Sequence, residues 1–347
     1  MPPDNVEFHP QRLREAGEDP VAVIDRWRSE GLWARGADRE LPEDPGQLVL
    51  AVDALDPPLT TLRLEPVDDS APTRERVMSP RKRLGRRWAR RFPPVEPNTL
   101  EYLAAHRALI RSLLAEEEWR AIFAAGEELP AGLAAAFDER AVEYPWLFSR
   151  GPRGHVLDAG SVLNHRHVLE PMLDAADDLT IVTLAPEQAS FNELGVSYLY
   201  ADLRDLPLRD DWFDEVVCLS TLEHVGMDTA IYGATTPRAA DPQAEAAKAL
   251  RELLRVVKPG GRVHVSVPFG RSEDLGWLRQ LDRAEVDDLF TRADAPRREE
   301  TVFLHSPEGW RRATPAEAAD ATYNLGPARD PDLAVAARAV LCATLQT

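Results

Sequence analysis

Four polar side chains that could act together follow an apolar run in the second half of the chain. The run ends at Leu219, and Ser220, Thr221, Glu223 and His224 come directly after it. Histidine titrates near neutral pH, so an imidazole beside a carboxylate is typical of proton transfer. A buried strand has no structural need for so many polar side chains at its end. This favours function over the alternative, a histidine that packs at the start of a helix.

A second segment, VLDAGS, places a carboxylate and a glycine at the end of another apolar run. Because glycine has no Cβ, a ligand could approach the backbone closely at Gly160. Asp158 and Ser161 lie on either side of this position. A purely structural turn after a strand explains the same residues equally well.

Two further segments complete the pattern. In ADLRDLPL, Asp202 closes a predicted strand, and its carboxylate could accept a hydrogen bond from an exocyclic amine. The alternative is that Asp202 caps a helix. The segment VVKPGGRVHVSVP predicts the end of a helix, a tight reversal and the next strand, which is a structural role.

The elements that must position these side chains alternate between residues 155 and 267. Strands are predicted at 155–158, 179–184, 196–200, 215–220 and 262–267, and helices at 167–176, 189–194, 203–212 and 244–257. Nearly unbroken apolar strands that alternate with helices predict an α/β fold, a doubly wound and mostly parallel sheet with helices on both faces. Ligands bind such sheets beyond the carboxyl ends of the strands, where the polar segments would meet.

In this order and spacing, the four segments resemble the class I S-adenosylmethionine-dependent methyltransferases, which have a Rossmann-like domain. The resemblance covers residues 155–268 directly. It implies a seven-stranded sheet that ends in an antiparallel hairpin, and S-adenosyl-L-methionine as the cofactor. By position, it also implies that Asp158 and Gly160 hold the methionine end of the cofactor, that Asp202 binds the adenine amine and that Leu203 packs on the adenine.

The same resemblance implies that Ser220 and Thr221 lie beside the sulfonium and that Glu223 and His224 face the methyl acceptor. The resemblance therefore implies methyl transfer, with a small molecule or a sugar as the expected acceptor. His224 is the candidate general base if the acceptor must lose a proton, with Glu223 orienting it or binding the acceptor.

The chain departs from the family pattern at three positions. Val162 and Asn164 stand where further glycines are usual, and Thr183 stands where the second strand usually ends in an acidic residue that binds ribose. One interpretation is that the cofactor is held differently. Asn164, His165 and Glu187 would then contribute, while Ser161 and Thr183 stay candidates for cofactor binding at their own positions. The other interpretation is a methyltransferase-like scaffold or binding protein that has lost its activity.

Two other classes of site are disfavoured. A nicotinamide-dependent enzyme uses a similar sheet, but residues 160–165 lack the Gly-x-Gly-x-x-Gly fingerprint. His165 and His167 have no further ligands at metal-binding spacing, so no metal is predicted.

The net charge and the composition indicate which binding partners and which cellular location to expect. The 347 residues include 59 acidic and 41 basic side chains, a formal net charge of −18, so neither nucleic acid nor a membrane is expected as a partner. No apolar run approaches the roughly 20 residues that span a bilayer, and no signal peptide is visible, so we expect a cytoplasmic protein. Only three basic residues are lysine; this arginine bias and abundant alanine indicate a bacterial source. The oligomeric state stays open.

Prolines interrupt the first 95 residues repeatedly, so we expect residues 1–95 to form a separate region of unknown role. Residues 96–347 would form the methyltransferase-like domain with its leading helices. Other predicted elements are helices at 20–32 and 131–142, one or two helices within 99–126, strands at 48–52, 60–64 and 301–304, and a turn at 306–310. The segment 333–345 fits either a strand or a helix by its pattern, and the resemblance implies that it is the last strand. The basic run 81–91 is interpreted as a linker or an anion-binding patch, and the segment after Val225 as a lid or a surface insertion.

Overall fold

The structure is a computed structural model that describes residues 4–29, 32–36, 45–53, 60–66, 99–187, 189–230, 237–296, 298–325 and 337–347. The chain divides into two compact units, residues 1–78 and 79–347. The predicted domain boundary after residue 95 and the basic run 81–91 lie outside the described residues, so both interpretations stay predictions.

The smaller unit pairs a three-stranded antiparallel sheet with helices. Its strands are β1 (Asp4–Phe8), β2 (Leu32–Gly36) and β3 (Thr60–Pro66), in the order β1-β3-β2. Its described helices are α1 (Pro10–Glu15), α2 (Pro20–Ser29) and α3 (Pro45–Asp53). Phe8, Ile24, Val52 and Leu62 are among the residues that form its core. The predicted strand at 60–64 is confirmed. The helix predicted at 20–32 is confirmed up to Ser29, but its end is wrong, because Leu32 begins β2.

The predicted strand at 48–52 is wrong, because these residues lie in helix α3. Leu48, Val49 and Val52 are buried, whereas Leu50 is 67% exposed, which is the spacing of one helix face. The run is apolar throughout, and a short apolar run does not distinguish a buried strand from a helix.

The larger unit is built on a mixed sheet that has eight strands among the described residues. The strands are β4 (Gly154–Ala159), β5 (Ala176–Thr183), β6 (Ser197–Tyr200), β7 (Phe213–Leu219), β8 (Val257–Pro268), β11 (Arg298–Ser306), β12 (Gly309–Ala313) and β13 (Ala339–Gln346). Their order in the sheet is β12-β11-β13-β8-β7-β4-β5-β6. The five strands from β8 to β6 are parallel, and β13, β11 and β12 are antiparallel. A separate hairpin pairs β9 (Glu273–Asp274) with β10 (Arg279–Gln280). The predicted doubly wound sheet is confirmed.

The sheet has one strand more than the seven expected, because β12 includes Gly309 and Trp310, which the sequence places in a turn. Gly309 has a φ of +102°, and a Cβ there would lie within 3.0 Å of the Leu133 backbone. The Trp310 indole donates to the carbonyl of Phe137 at 3.0 Å. Contacts with a distant part of the chain therefore define this strand.

Helices cover both faces of the sheet. They are α4 (Leu100–Ala115), α5 (Glu117–Ala124), α6 (Arg140–Ser149), α7 (Arg166–Leu173), α8 (Pro242–Val256), α9 (Arg283–Arg292) and α10 (Pro315–Ala318). One core contains residues of α4 to α7, and the other contains residues of α8 and α9. Thr99 caps α4, since its hydroxyl accepts from the amide of Tyr102 at 3.0 Å.

Helix α6 corrects the prediction that a helix at 131–142 stops before Tyr144. It begins at Arg140 and continues through Pro145 to Ser149. Pro145 lacks the N–H that would reach the carbonyl of Ala141, which disfavours a helix interior. However, every residue from 141 to 148 is buried, so packing outweighs the lost bond.

The helices predicted at 189–194 and 203–212 are wrong. The first is reduced to a short 3-10 helix at Asn192–Leu194, and the second consists of turns and bends around Pro207. In the part of the chain that the structure describes, no helix is long and apolar enough to cross a membrane.

Truncating a side chain on the buried face of α6 should destabilise the protein. We expect Leu147→Ala to lower the free energy of unfolding by about 2–5 kcal/mol, because Leu147 is fully buried and the change leaves a cavity. Leu103→Ala on α4 is the matched control, since Leu103 is 45% exposed. Urea denaturation followed by circular dichroism measures both; equal losses would contradict the packing described for α6.

Candidate functional site

A cavity of about 600 Å³ opens at the carboxyl ends of β4, β5 and β7. Eight of the predicted site residues line it, namely Gly160, Ser161, Thr183, Asp202, Leu203, Ser220, Thr221 and His224. Asp158, Asn164 and Glu223 are buried and do not belong to the lining. His165 and Glu187, the alternative contributors to cofactor binding, also line the cavity, and so does Arg140, which the sequence did not indicate.

The turn after β4 approaches the segment after β7 very closely. Gly160 has a φ of +117°, and a Cβ at this position would overlap the side chain of Thr221, with 2.9 Å between the two Cβ atoms. The Thr221 hydroxyl donates to the carbonyl of Leu219 at 2.9 Å. Glycine is therefore required at position 160 by both its backbone conformation and its neighbour.

Asp158 lies directly beneath this turn. One carboxyl oxygen accepts from the amide of Leu163 at 2.8 Å, while Oδ1 has no hydrogen-bond partner among the described residues. Burial raises the pKa of Asp158 to about 7. The Ser161 hydroxyl is likewise buried and without a partner in the described part of the chain. Both oxygens therefore retain hydrogen-bonding capacity that no described residue uses.

The side chain of Asn164 forms its hydrogen bonds with other residues of the protein. Its amide donates to Glu187 at 2.8 Å and to the carbonyl of Ala189 at 3.0 Å, and its oxygen accepts from the Tyr198 hydroxyl at 2.8 Å. These bonds connect the turn after β4 to the segment that follows β5. Its role as a cofactor ligand stays a prediction.

Asp202 already has a strong partner. Its carboxylate accepts from the Arg204 guanidinium at 2.6 Å and from the Arg204 amide at 2.9 Å. These hydrogen bonds lower the pKa of Asp202 despite its partial burial. Arg204 also pairs with Glu245 at 2.5 Å. A ligand amine at Asp202 would therefore share the carboxylate with Arg204.

Glu143 of α6 is a buried residue near the site that the sequence did not indicate. Its carboxylate accepts from the hydroxyls of Ser220 at 2.7 Å and Ser266 at 2.5 Å and pairs with Arg140. The Tyr144 hydroxyl donates to the carbonyl of Val162 at 2.7 Å, next to the turn after β4. The sequence shows that Arg140 and Glu143 are three residues apart, which is the spacing of an ion pair on a helix. It does not show that Ser220 and Ser266 bind the same carboxylate.

His224 ends a short 3-10 helix, Leu222–His224, that follows β7. Its Nδ1 lies 2.9 Å from the carbonyl of Trp277, and the two rings stack with centroids 5.3 Å apart. Because a carbonyl can only accept, Nδ1 carries the proton and Nε2 carries the lone pair in the neutral ring. Burial lowers the pKa of His224 to about 4, so the imidazole is neutral at pH 7.

Glu223 lies behind His224, with Oε1 3.8 Å from the imidazole Nε2. Its other oxygen has no partner within the described ranges. Burial raises the pKa of Glu223 well above its usual range, and Glu143 adds to this effect. Burial therefore favours the neutral form of both groups.

Residues 167–265 match a family model described as a methyltransferase domain. This match covers part of the chain and supports the resemblance of the four segments to the methyltransferases. No curated protein matches the chain in sequence at a significant level.

Several solved structures are similar to this chain. One is a possible histamine N-methyltransferase from Thermotoga maritima, with 16% identity, 69% of this chain and 99% of that chain covered, and a TM-score of 0.39. Another is the 1,6-didemethyltoxoflavin-N1-methyltransferase from Burkholderia thailandensis, with 14% identity, 82% and 98% covered, and a TM-score of 0.36. The [4+2]-cyclase SpnF has 17% identity, 73% and 97% covered, and a TM-score of 0.39. Similarities of this size do not indicate the acceptor.

Substituting Gly160 should destabilise the fold more than substituting a glycine with open space around it. A positive φ costs a residue with a Cβ roughly 1–3 kcal/mol, and Gly160→Ala adds the overlap with Thr221. Gly195→Ala is the matched control, since Gly195 has a φ of +86° and nothing lies within 4 Å of the position that a Cβ would take there. Equal losses in the free energy of unfolding would contradict the close approach.

The buried His224 should make the protein less stable in acid. The unfolded chain takes up a proton near pH 6.5 but the folded chain only near pH 4, so stability falls as the pH drops between these values. From pH 7.5 to pH 5, we expect this residue to account for about 2 kcal/mol of the loss. The His224→Gln variant, which keeps a donor for the Trp277 carbonyl, should lose that much less in urea denaturation. An unchanged pH dependence would contradict the burial of a neutral imidazole.

Proposed function

We propose that this domain transfers a methyl group from S-adenosylmethionine to a small molecule held in the same cavity. The observation that carries the proposal is the meeting of eight predicted site residues in one cavity of about 600 Å³. A cavity of this size is typical of sites that enclose small-molecule ligands. Its position at the carboxyl ends of parallel strands is where doubly wound sheets bind them.

The residues present fit the cofactor. Buried oxygens of Asp158 and Ser161 lack partners among the described residues, and the backbone of Gly160 forms part of the wall beside them. These groups would hold the methionine end. Thr183 and Glu187 would bind the ribose, in place of one acidic residue, and Asp202 and Leu203 would receive the adenine. When bound, the cofactor supplies a methyl group activated by the sulfonium.

The side chains of this protein would align the acceptor and exclude water. A displacement at a methyl carbon requires the nucleophile to lie in line with the bond that breaks, so orientation contributes much of the rate. The Nε2 lone pair of His224 is suited to accept a proton from a hydroxyl acceptor. Trp277 would hold the imidazole in this tautomer through its carbonyl and stacked ring. Glu223 would orient the acceptor or the imidazole.

Two observations favour the second candidate, an inactive binding module. The carboxylate of Asp202 already accepts from Arg204, and the side chain of Asn164 is occupied by three hydrogen bonds within the protein. A domain that no longer binds the cofactor would tolerate both arrangements.

Calorimetric titration with S-adenosylhomocysteine tests the proposal. We expect binding and a raised melting temperature, because a ligand that binds only the folded state stabilises it. Asp202→Asn should weaken binding by about tenfold or more, since a hydrogen bond to a charged group contributes about 1.5–3 kcal/mol. Asp205→Asn is the matched control, because Asp205 is exposed and lies outside the cavity lining.

The absence of binding at millimolar ligand would contradict the methyltransferase activity and support the inactive module. Binding that Asp202→Asn leaves unchanged would contradict the adenine site alone.

A further inference from the structure

Arg140, at the start of α6, brings a permanent positive charge to the cavity. Its side chain lines the cavity and keeps 24% of its surface exposed. The guanidinium Nη1 donates to Glu143, and this is the only hydrogen bond of the guanidinium among the described residues. Although burial lowers its pKa, the neighbouring carboxylates, chiefly Glu143, raise the pKa of Arg140 well above its usual value. The Nε and Nη2 donors of a charged group therefore remain unused within the described part of the chain.

The other basic residues of the cavity lining offer no comparable donors. His165 and His224 are neutral at pH 7, because burial lowers the pKa of both. Arg204 uses its Nε and Nη2 to bind the carboxylate of Asp202. Among the lining residues that the structure describes, Arg140 thus combines a positive charge with unused N–H donors.

Arg204 shows what the unused edge of Arg140 can bind. In a guanidinium, Nε–H and one Nη2–H point in the same direction and match the two oxygens of a carboxylate. Arg204 binds Asp202 through this edge, with Nε 3.0 Å from Oδ1 and Nη2 2.6 Å from Oδ2. Its Nη1 donates to Glu245 at 2.5 Å. Arg140 has the same arrangement at Nη1, where Glu143 takes the place of Glu245. The remaining edge is therefore complementary to a second carboxylate.

The neighbouring acidic residues leave this edge of Arg140 unoccupied in the described structure. Burial raises the pKa of Glu139 to about 8 and that of Glu223 well above its usual range, so the neutral acid is favoured in both at pH 7. Asp138 accepts from the backbone amide of Arg140 at 3.1 Å and not from its guanidinium. Among the described residues, Glu143 is therefore the only carboxylate that is hydrogen-bonded to the guanidinium.

The start of α6 lies beside both ends of the expected ligand site. Glu143 accepts from the hydroxyl of Ser220 after β7 at 2.7 Å, and the Tyr144 hydroxyl donates to the carbonyl of Val162 after β4 at 2.7 Å. Arg140 precedes Glu143 and Tyr144 by about one turn of the same helix. A carboxylate at Arg140 could thus belong to the methionine end of the cofactor, expected near the turn after β4, or to the acceptor, expected near the segment after β7.

We propose that the Nε and Nη2 edge of Arg140 binds a ligand carboxylate in the cavity. This inference rests on the proposed function and adds a ligand contact to it. A carboxylate provides two oxygens for the two parallel donors and a negative charge for the guanidinium, and such charge-assisted pairs are stronger than neutral hydrogen bonds. An alcohol or an amine on the same skeleton provides neither the second oxygen nor the negative charge.

Matched pairs of probes test this inference and distinguish the two sources of the carboxylate. S-adenosylhomocysteine and its decarboxylated form, S-adenosyl-3-thiopropylamine, differ only in the methionine carboxylate. Benzoate and 3-phenylpropionate, each beside the alcohol of the same skeleton, represent a carboxylate on the acceptor. All are titrated calorimetrically into the full chain, the phenyl compounds both with and without S-adenosylhomocysteine. We expect the acid to bind about tenfold or more tightly than its partner in at least one of the two sets.

Substitutions of Arg140 should reduce this preference for the acid. Arg140→Lys keeps a positive charge beside Glu143 but removes the parallel donors, and Arg140→Gln also removes the charge. We expect the preference to fall several-fold in Arg140→Lys and by about tenfold or more in Arg140→Gln. Because the preference compares two ligands in the same protein, a loss of folding stability affects both ligands equally. Arg120→Gln is the matched control and should leave the preference unchanged, since Arg120 is exposed and lies outside the cavity lining.

The pair that loses its preference identifies the source. A loss for S-adenosylhomocysteine alone assigns the methionine carboxylate to Arg140, and a loss for the phenyl acids alone assigns the acceptor; either result supports the inference. No preference for the acid in either set, or preferences that both Arg140 variants retain, would overturn it. Phenyl acids that bind through Arg140 while S-adenosylhomocysteine does not bind would contradict the methyltransferase proposal and support the carboxylate site.

Discussion

The buried carboxylate of Glu143 is the contact on which the arrangement of the cavity depends. Moving a carboxylate out of water costs several kcal/mol unless charged and hydrogen-bonding partners replace the water. Arg140 and the hydroxyls of Ser220 and Ser266 provide those partners. Since the two serines lie at the ends of β7 and β8, the carboxylate holds α6 against the carboxyl edge of the sheet at one position.

This placement makes a leading helix part of the site. Arg140 of this helix lines the cavity, and Glu139 precedes it in the chain. The Tyr144 hydroxyl donates to the carbonyl of Val162, next to the turn after β4. On the opposite side, Trp277 fixes the tautomer of His224. Elements far apart in the chain thus determine which atoms of the polar segments remain available to a ligand.

Local patterns predicted the elements that carry the site. The segments after β4, β6 and β7 were recognisable because each is an apolar run that ends in polar residues, and all three contribute to the cavity. Errors arose where local patterns are ambiguous, as in α3, or where packing overrides them, as at Pro145 in α6. The pairing of Asp202 with Arg204 spans only two residues, yet the sequence alone does not show which carboxylate a guanidinium selects.

The amino-acid sequence by itself determined the doubly wound sheet and the edge where the polar side chains gather. These properties follow from the spacing of apolar residues and from the order of segments along the chain. Both are local features, so they can be recognised without knowing which distant residues are in contact. Tertiary structure alone decided that β12 joins the sheet and that Glu143 lies beside Ser266, 123 residues away. It also decided that Glu139 and Glu223 each have one buried carboxyl oxygen without a hydrogen-bond partner within the described residues. The partners of a buried charge are chosen by packing across the whole fold, so no local pattern encodes them.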